Sequence, residues 1–245
     1  MGTTLHALIQ DNEHSLRALQ DRIGYRFKDL SLLQVALIHS SFSFERLDGG
    51  KHNETLEFLG DAVLDLAVGL LLFKRFPTMR EGKLTRIRAA LVNEQGLAAM
   101  ARRIGLGEHL LLGKGEEVSG GREKASILSC AYEAMVGAIF LDGGYDTAQD
   151  FVIRFFTPLV EKRQQDLALV DAKSGLQEML QERYNEGPTY VLDREEGPAH
   201  ARTFFVSVWF RDRQLGRGEA GSKKLAEQQA AAAALKKLGA GEQAT

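Results

Sequence analysis

The chain is poor in the residues that mark several protein classes. Its 245 residues include one cysteine, which excludes a disulfide scaffold and a zinc site built from several thiolates. A lone thiol suits a reducing compartment, so a cytoplasmic location is expected. Four prolines rule out a proline-rich linker protein. Long apolar runs are scarce. The stretch from Ala62 to Phe73 is broken by Asp65 and is too short to cross a bilayer, so no membrane partner is expected. The N-terminus carries Asp11 and Glu13 and lacks a basic start followed by an apolar block, unlike a signal peptide. A net charge of −2 announces no nucleic-acid partner and excludes none, because such binding depends on local clusters of Lys and Arg. With 44% hydrophobic and 26% charged residues, the chain reads as globular, with room for one large domain or two modest ones.

Most of what is present reads as helix. Apolar positions three and four apart predict helices over Leu8–Ile23, Asp29–Leu37, Asn53–Phe73, Lys83–Ile104, Ala125–Phe140 and Thr147–Glu161. The glycine-rich, charged segment Gly113–Lys124 reads as a loop. Near residue 161 the pattern weakens and a linker is expected at 164–170. Beyond it the grammar changes. A helix over Ser174–Tyr184 precedes alternating segments at Thr189–Asp193, Thr203–Phe210 and Gln214–Gly218, and a helix over Ser222–Leu238 follows, with Ser222 as its cap and Gly239 as its stop. The expected fold is an all-α domain (1–163) followed by a small α+β domain of order α-β-β-β-α (171–240).

The segment NETLEFLGDAVLDL holds the most informative residues. Glu57 and Asp61 are four apart and so share a helical face, and Glu54 joins the same stripe. Apolar neighbours surround them, and acids in an apolar helix are costly without a partner. Glu133 is the only charge in the apolar run SILSCAYEAMVGAIFL, which suggests that the acids of the two helices meet. Stacked carboxylates repel one another unless a cation relieves them, and hard oxygen ligands suit Mg²⁺, with Mn²⁺ as a substitute. Di-iron carboxylate chemistry needs Glu-x-x-His pairs, but Gly60 and Val136 stand three residues after Glu57 and Glu133. No H-E-x-x-H occurs either. Metal-assisted hydrolysis of phosphate esters is what remains.

This segment resembles the signature of the ribonuclease III family. The likeness extends through EGKLTRIRAALVN (81–93), LGKGEEVSGGREK (112–124) and EAMVGAIFLDGG (133–144). It implies an Mg²⁺-dependent, double-strand-specific endoribonuclease that acts as a homodimer, leaves 5′-phosphate and 3′-hydroxyl ends, and processes rRNA and mRNA precursors. It assigns Asp61 and Glu133 as catalytic and Glu57, Asp61 and Glu133 as metal ligands, with Glu54 at a further acidic position. One departure stands out: the family usually has Asp three residues before the second-helix glutamate, and this chain has Cys130. A thiol is a poor Mg²⁺ ligand, so weaker metal binding is expected. The alternative is a catalytically weakened protein that binds duplexes without cutting them.

The C-terminal part resembles a double-stranded-RNA-binding domain. The resemblance implies RNA contacts from Gln177, Glu178 and His200, and from Ser222, Lys223 and Lys224 at a helix start, where backbone N–H groups favour phosphate. Residues 171–245 carry 11 basic and 11 acidic side chains, so charge is clustered here and not global. Arg211, Arg213, Arg217, Lys223 and Lys224 outnumber the acids among them, Asp212 and Glu219. Two apparent motifs are rejected. Gly216–Gly221 matches G-x-G-x-x-G, but no strand with an acidic residue follows, as a dinucleotide fold requires. TFFVSVWF is aromatic, but it lacks the RNP1 pattern and the element order of an RRM, so its aromatics are assigned to the core.

Overall fold

A computed structural model describes the backbone of residues 3–47, 50–198 and 201–242, without the side chains of 162–171 and 239–242. The helices are α1 (Leu5–Asp11), α2 (Glu13–Ile23), α3 (Leu30–Ala36), α4 (Ser40–Arg46), α5 (Glu54–Arg75), α6 (Glu81–Val92), α7 (Glu94–Arg103), α8 (Lys114–Val118), α9 (Ala125–Tyr184) and α10 (Lys223–Glu242). The strands are β1 (Thr189–Glu196), β2 (Thr203–Phe210) and β3 (Arg213–Ala220). The chain divides into two compact units, residues 1–159 and 160–245. The division falls inside the range of α9, which also carries a non-helical residue at Gly144 (φ 81°, ψ 178°).

The first unit is helical, as expected. Two predicted helices are each split by an asparagine. Asn12 ends α1 and precedes α2. Asn93 is extended, and its side chain accepts from the Gly96 N–H at 2.8 Å to start α7. A capping side chain here outcompetes an apolar period that runs through it. The Gly113–Lys124 loop contains the short α8 and a 3₁₀ turn at Gly121–Glu123. Arg122 holds it down by donating to the carbonyls of Gly107 and Leu110, each at 2.8 Å.

The core of this unit forms around α5 and the first part of α9. Leu64, Ala67, Val68 and Leu72 of α5 are buried, as are Ala131, Tyr132, Met135 and Ile139 of α9. The stretch Ala125–Glu161 is long and apolar enough to cross a membrane by length and composition, and 61% of that window is buried inside the protein, which is how a core helix passes the same test. Asp142, midway along this stretch, pins it to the turn after α2. It accepts from the Tyr25 hydroxyl at 2.6 Å and from the backbone N–H groups of Lys28 and Asp29.

The second unit has the expected α-β-β-β-α order, with an antiparallel sheet in the order β1-β2-β3. Leu176 and Leu180 of α9 and Ala230, Ala231 and Ala234 of α10 pack with Val208 and Leu215. Ser222 caps α10, its hydroxyl accepting from the Leu225 N–H at 3.3 Å. The helix continues past the expected stop at Gly239 to Glu242. The segment expected as a linker, 164–170, lies within the range of α9, and its side chains are outside the described residues.

Candidate active site

Two glycines set the geometry. A Cβ at Gly60 of α5 would lie 1.8 Å from the carbonyl oxygen of Glu133, and one at Gly137 of α9 would lie 2.3 Å from that of Leu56. Any side chain at either position would collide with backbone, so only glycine lets α5 and α9 touch main chain to main chain. The contact places the turn of α5 holding Glu57 and Asp61 against the turn of α9 holding Glu133.

Glu57, Cys130 and Glu133 form a half-buried group whose ligand atoms all lie within 4.8 Å of one another. Asp61 lies outside this group and is exposed. Its charge still reaches Glu133, whose pKa is pushed up to about 7 by burial first and then by Asp61 and Glu57. Glu54 is exposed, with His52 Nδ1 3.8 Å from its carboxylate. Glu54 and Glu57 both sit in the first turn of α5, where the helix dipole favours negative charge.

Cys130, which stands where the resemblance expects an aspartate, joins the cluster. Burial pushes its thiol up to about 12, reinforced by a hydrogen bond to Glu57 and by the charges of Glu57 and Glu133. The protonated sulfur is a donor toward Glu57 and not an additional anion. Carboxylate oxygens held close together, with Glu133 raised by burial and by the charges of Asp61 and Glu57, form a group that could hold a metal ion.

In the second unit, Gln177, Glu178, Ser222, Lys223 and Lys224 are all exposed. Lys223 and Lys224 have no ion-pair partner among the described residues. Arg211 is held by Glu186 at 3.0 Å, which removes one cation from the basic excess around it. His200 lies outside the described residues. The rejected G-x-G-x-x-G has a packing explanation. Cβ atoms at Gly216 and Gly218 would lie 2.4 and 2.1 Å from the carbonyl oxygens of Ala230 and Ala226, so these glycines seat α10 on β3. Of the TFFVSVWF aromatics, Phe204 and Phe210 pack against the core. Phe205 lies under the Arg194 guanidinium, 3.9 Å from ring centre to carbon. Trp209 donates to Ser207 Oγ at 2.8 Å, and that hydroxyl donates to Asp193 at 2.7 Å.

The family model "Ribonuclease-III-like" matches residues 29–159, and the model "Double-stranded RNA binding motif" matches 172–238. Ribonuclease 3 of Desulfotalea psychrophila is 61% identical over 238 residues, spanning 97% of this chain and 99% of that protein. The chain belongs to the ribonuclease III family. Ribonuclease 3 of Syntrophobacter fumaroxidans is 48% identical over 92% of this chain and 95% of its own length. Among solved structures, the nuclease domain of ribonuclease III from Campylobacter jejuni is 47% identical with a TM-score of 0.53, covering 57% of this chain and 91% of that one. A second structure of that domain, equally similar, concerns flexibility in a region involved in dimer formation. Membership in the ribonuclease III family accounts for both halves of the chain, a helical nuclease unit and a unit that binds duplex RNA.

Proposed function

We propose that this member of the ribonuclease III family is a cytoplasmic endoribonuclease that hydrolyses phosphodiester bonds of double-stranded RNA and leaves 5′-phosphate and 3′-hydroxyl ends on rRNA and mRNA precursors. The observation that carries this reading is the convergence of Glu57 and Glu133 across the Gly60–Gly137 contact. In our reading residues 1–163 form the nuclease domain, 164–170 the linker and 171–240 the RNA-binding domain.

Glu57, Asp61 and Glu133 would hold Mg²⁺, or Mn²⁺ in its place. When bound, the cation would supply Lewis-acid chemistry, making a water a better nucleophile and offsetting charge on the leaving oxygen. Asp61 and Glu133 would orient the attacking water, and Glu57 would complete the oxygen cradle. The RNA-binding unit supplies Gln177, Glu178 and His200 to the minor groove and Ser222, Lys223 and Lys224 to the phosphates. A homodimer is supported by α5, where Phe58, Leu66 and Phe73 leave an apolar stripe exposed, Phe58 by 82%. A binding-only protein would have no use for two acids held against burial, so the enzyme reading is preferred.

Cleavage of a long perfect RNA duplex across a Mg²⁺ titration tests this. The unmodified protein is expected to cut, and Glu133→Gln to lose at least about a hundredfold in rate while shifting the duplex in gels as before. Cutting by Glu133→Gln at the original rate would overturn the site assignment. Duplex binding without cutting by the unmodified protein would favour the binding-only reading.

A further inference from the structure

Beside the acidic cluster lies a cavity of about 340 Å³, lined by His39, Ser40, Glu54, Glu57, Ser126 and Cys130 among others. Glu57 and Cys130 belong to both, so the cavity opens from the metal cradle itself. His39 caps α4 and is half-buried. The backbone N–H of Ser41 donates to His39 Nδ1 at 3.3 Å. A main-chain amide can only donate, so Nδ1 is the acceptor of the ring. The Ser41 hydroxyl lies 2.8 Å from the same nitrogen and accepts from the Gly113 N–H at 2.9 Å, which leaves its own proton for Nδ1. This network assigns the neutral tautomer with hydrogen on Nε2. No hydrogen bond from the Nε2–H is found among the described residues, and the ring interacts with the charge of Glu116 on α8.

A wall of this kind is selective. It has two carboxylates, two hydroxyls, the Asn53 amide, a thiol and one imidazole donor, and neither lysine nor arginine lines it. A phosphate entering it would meet like charge with no cation from the chain. A hydroxyl can accept from His39 and donate to Glu54 or Glu57. On an RNA strand the neutral group that both donates and accepts beside the backbone is the ribose 2′-hydroxyl, which DNA lacks. We propose that this cavity receives a 2′-hydroxyl of the strand being cut, and that His39 Nε2–H donates to it. The proposal deepens the endoribonuclease reading and rests on it. It makes His39 a residue that discriminates RNA from DNA at the reacting strand, with Ser41 positioning its ring.

The test pairs protein and substrate changes in single-turnover cleavage with the full-length protein and saturating Mg²⁺. Duplexes carry one 2′-deoxy nucleotide, walked through the positions flanking the cut. His39→Ala is expected to slow the all-RNA duplex about tenfold. At one position the 2′-deoxy substitution should slow the unmodified protein by a similar factor and the variant no further. Ser41→Ala frees the tautomer, so a loss of about threefold with the same coupling is expected, and this carries the test if His39→Ala fails to fold. Losses that multiply at every position, or no loss at all, overturn the proposal. So does coupling to a methylphosphonate in place of the 2′-deoxy sugar, which would make a phosphate the ligand. If the unmodified protein cuts no RNA duplex, the endoribonuclease reading itself has failed. If it cuts but shows no coupling, only the assignment of His39 has.

Discussion

At Gly60 and Gly137 two helices of the nuclease unit touch backbone to backbone, and at Gly216 and Gly218 a helix of the RNA-binding unit rests on a strand in the same manner. The device is shared and its products differ. In the nuclease unit the close approach drives carboxylates together in a half-buried place, raising Glu133 to about 7. In the RNA-binding unit it seats an alanine-rich helix and leaves Ser222, Lys223 and Lys224 in solvent. A catalytic cluster needs its groups desolvated and crowded before the substrate arrives, and folding energy is spent on that. A surface that reads duplex shape needs only a rigid base beneath exposed side chains, which comes at little cost in stability.

The largest expected effect breaks this parallel at its root. Gly60→Ala should destabilise the nuclease unit by about 3 kcal/mol, since the new methyl meets fixed backbone, and cleavage should be lost while duplex binding persists. Gly218→Ala should do the converse, weakening duplex binding and sparing slow cleavage at low salt. Thermal melting with gel shifts and cleavage rates on both variants checks the pair. Cleavage by Gly60→Ala within twofold of the unmodified rate would show that the helix contact does not position the acids.

A smaller effect sharpens the charge side of the comparison. Lys223→Ala and Lys224→Ala should each reduce the slope of log affinity against log salt by about 0.9, with the maximal cleavage rate at saturating protein unchanged. An unchanged slope would remove these lysines from the phosphate contacts. The smallest expected effect concerns Cys130→Asp. It should lower the Mg²⁺ concentration for half-maximal cleavage several-fold, because a hard oxygen replaces a protonated thiol in the same cluster. An unchanged or raised Mg²⁺ requirement would place residue 130 outside the metal shell.

Much of this is legible in the amino-acid sequence. The acids on apolar helices, the Gly-rich loop and the alternation of Thr203–Phe210 are local patterns, and local patterns survive into the fold. The breaks at Asn12 and Asn93 were not seen, because apolar periodicity continues through both and a cap is a one-residue signal. The seven-residue α4 was missed for its shortness, and with it the role of His39 as a cap. The placement of Gly216 and Gly218 under α10 depends on which strand meets which helix, and spacing along one chain does not encode that. The literal G-x-G-x-x-G shows the same limit from the other side, since its glycines serve packing and no phosphate loop.

The most direct measurement is Mn²⁺ binding to the full-length protein without RNA, followed by electron paramagnetic resonance, for the unmodified chain, Glu57→Gln, Glu133→Gln and Lys224→Ala. Convergence of the acids predicts that the unmodified protein and Lys224→Ala bind Mn²⁺ alike, while each glutamine variant weakens binding at least about tenfold. Equal binding by all four proteins would contradict it, and would mean that the acids meeting at Gly60 and Gly137 do not form the metal site.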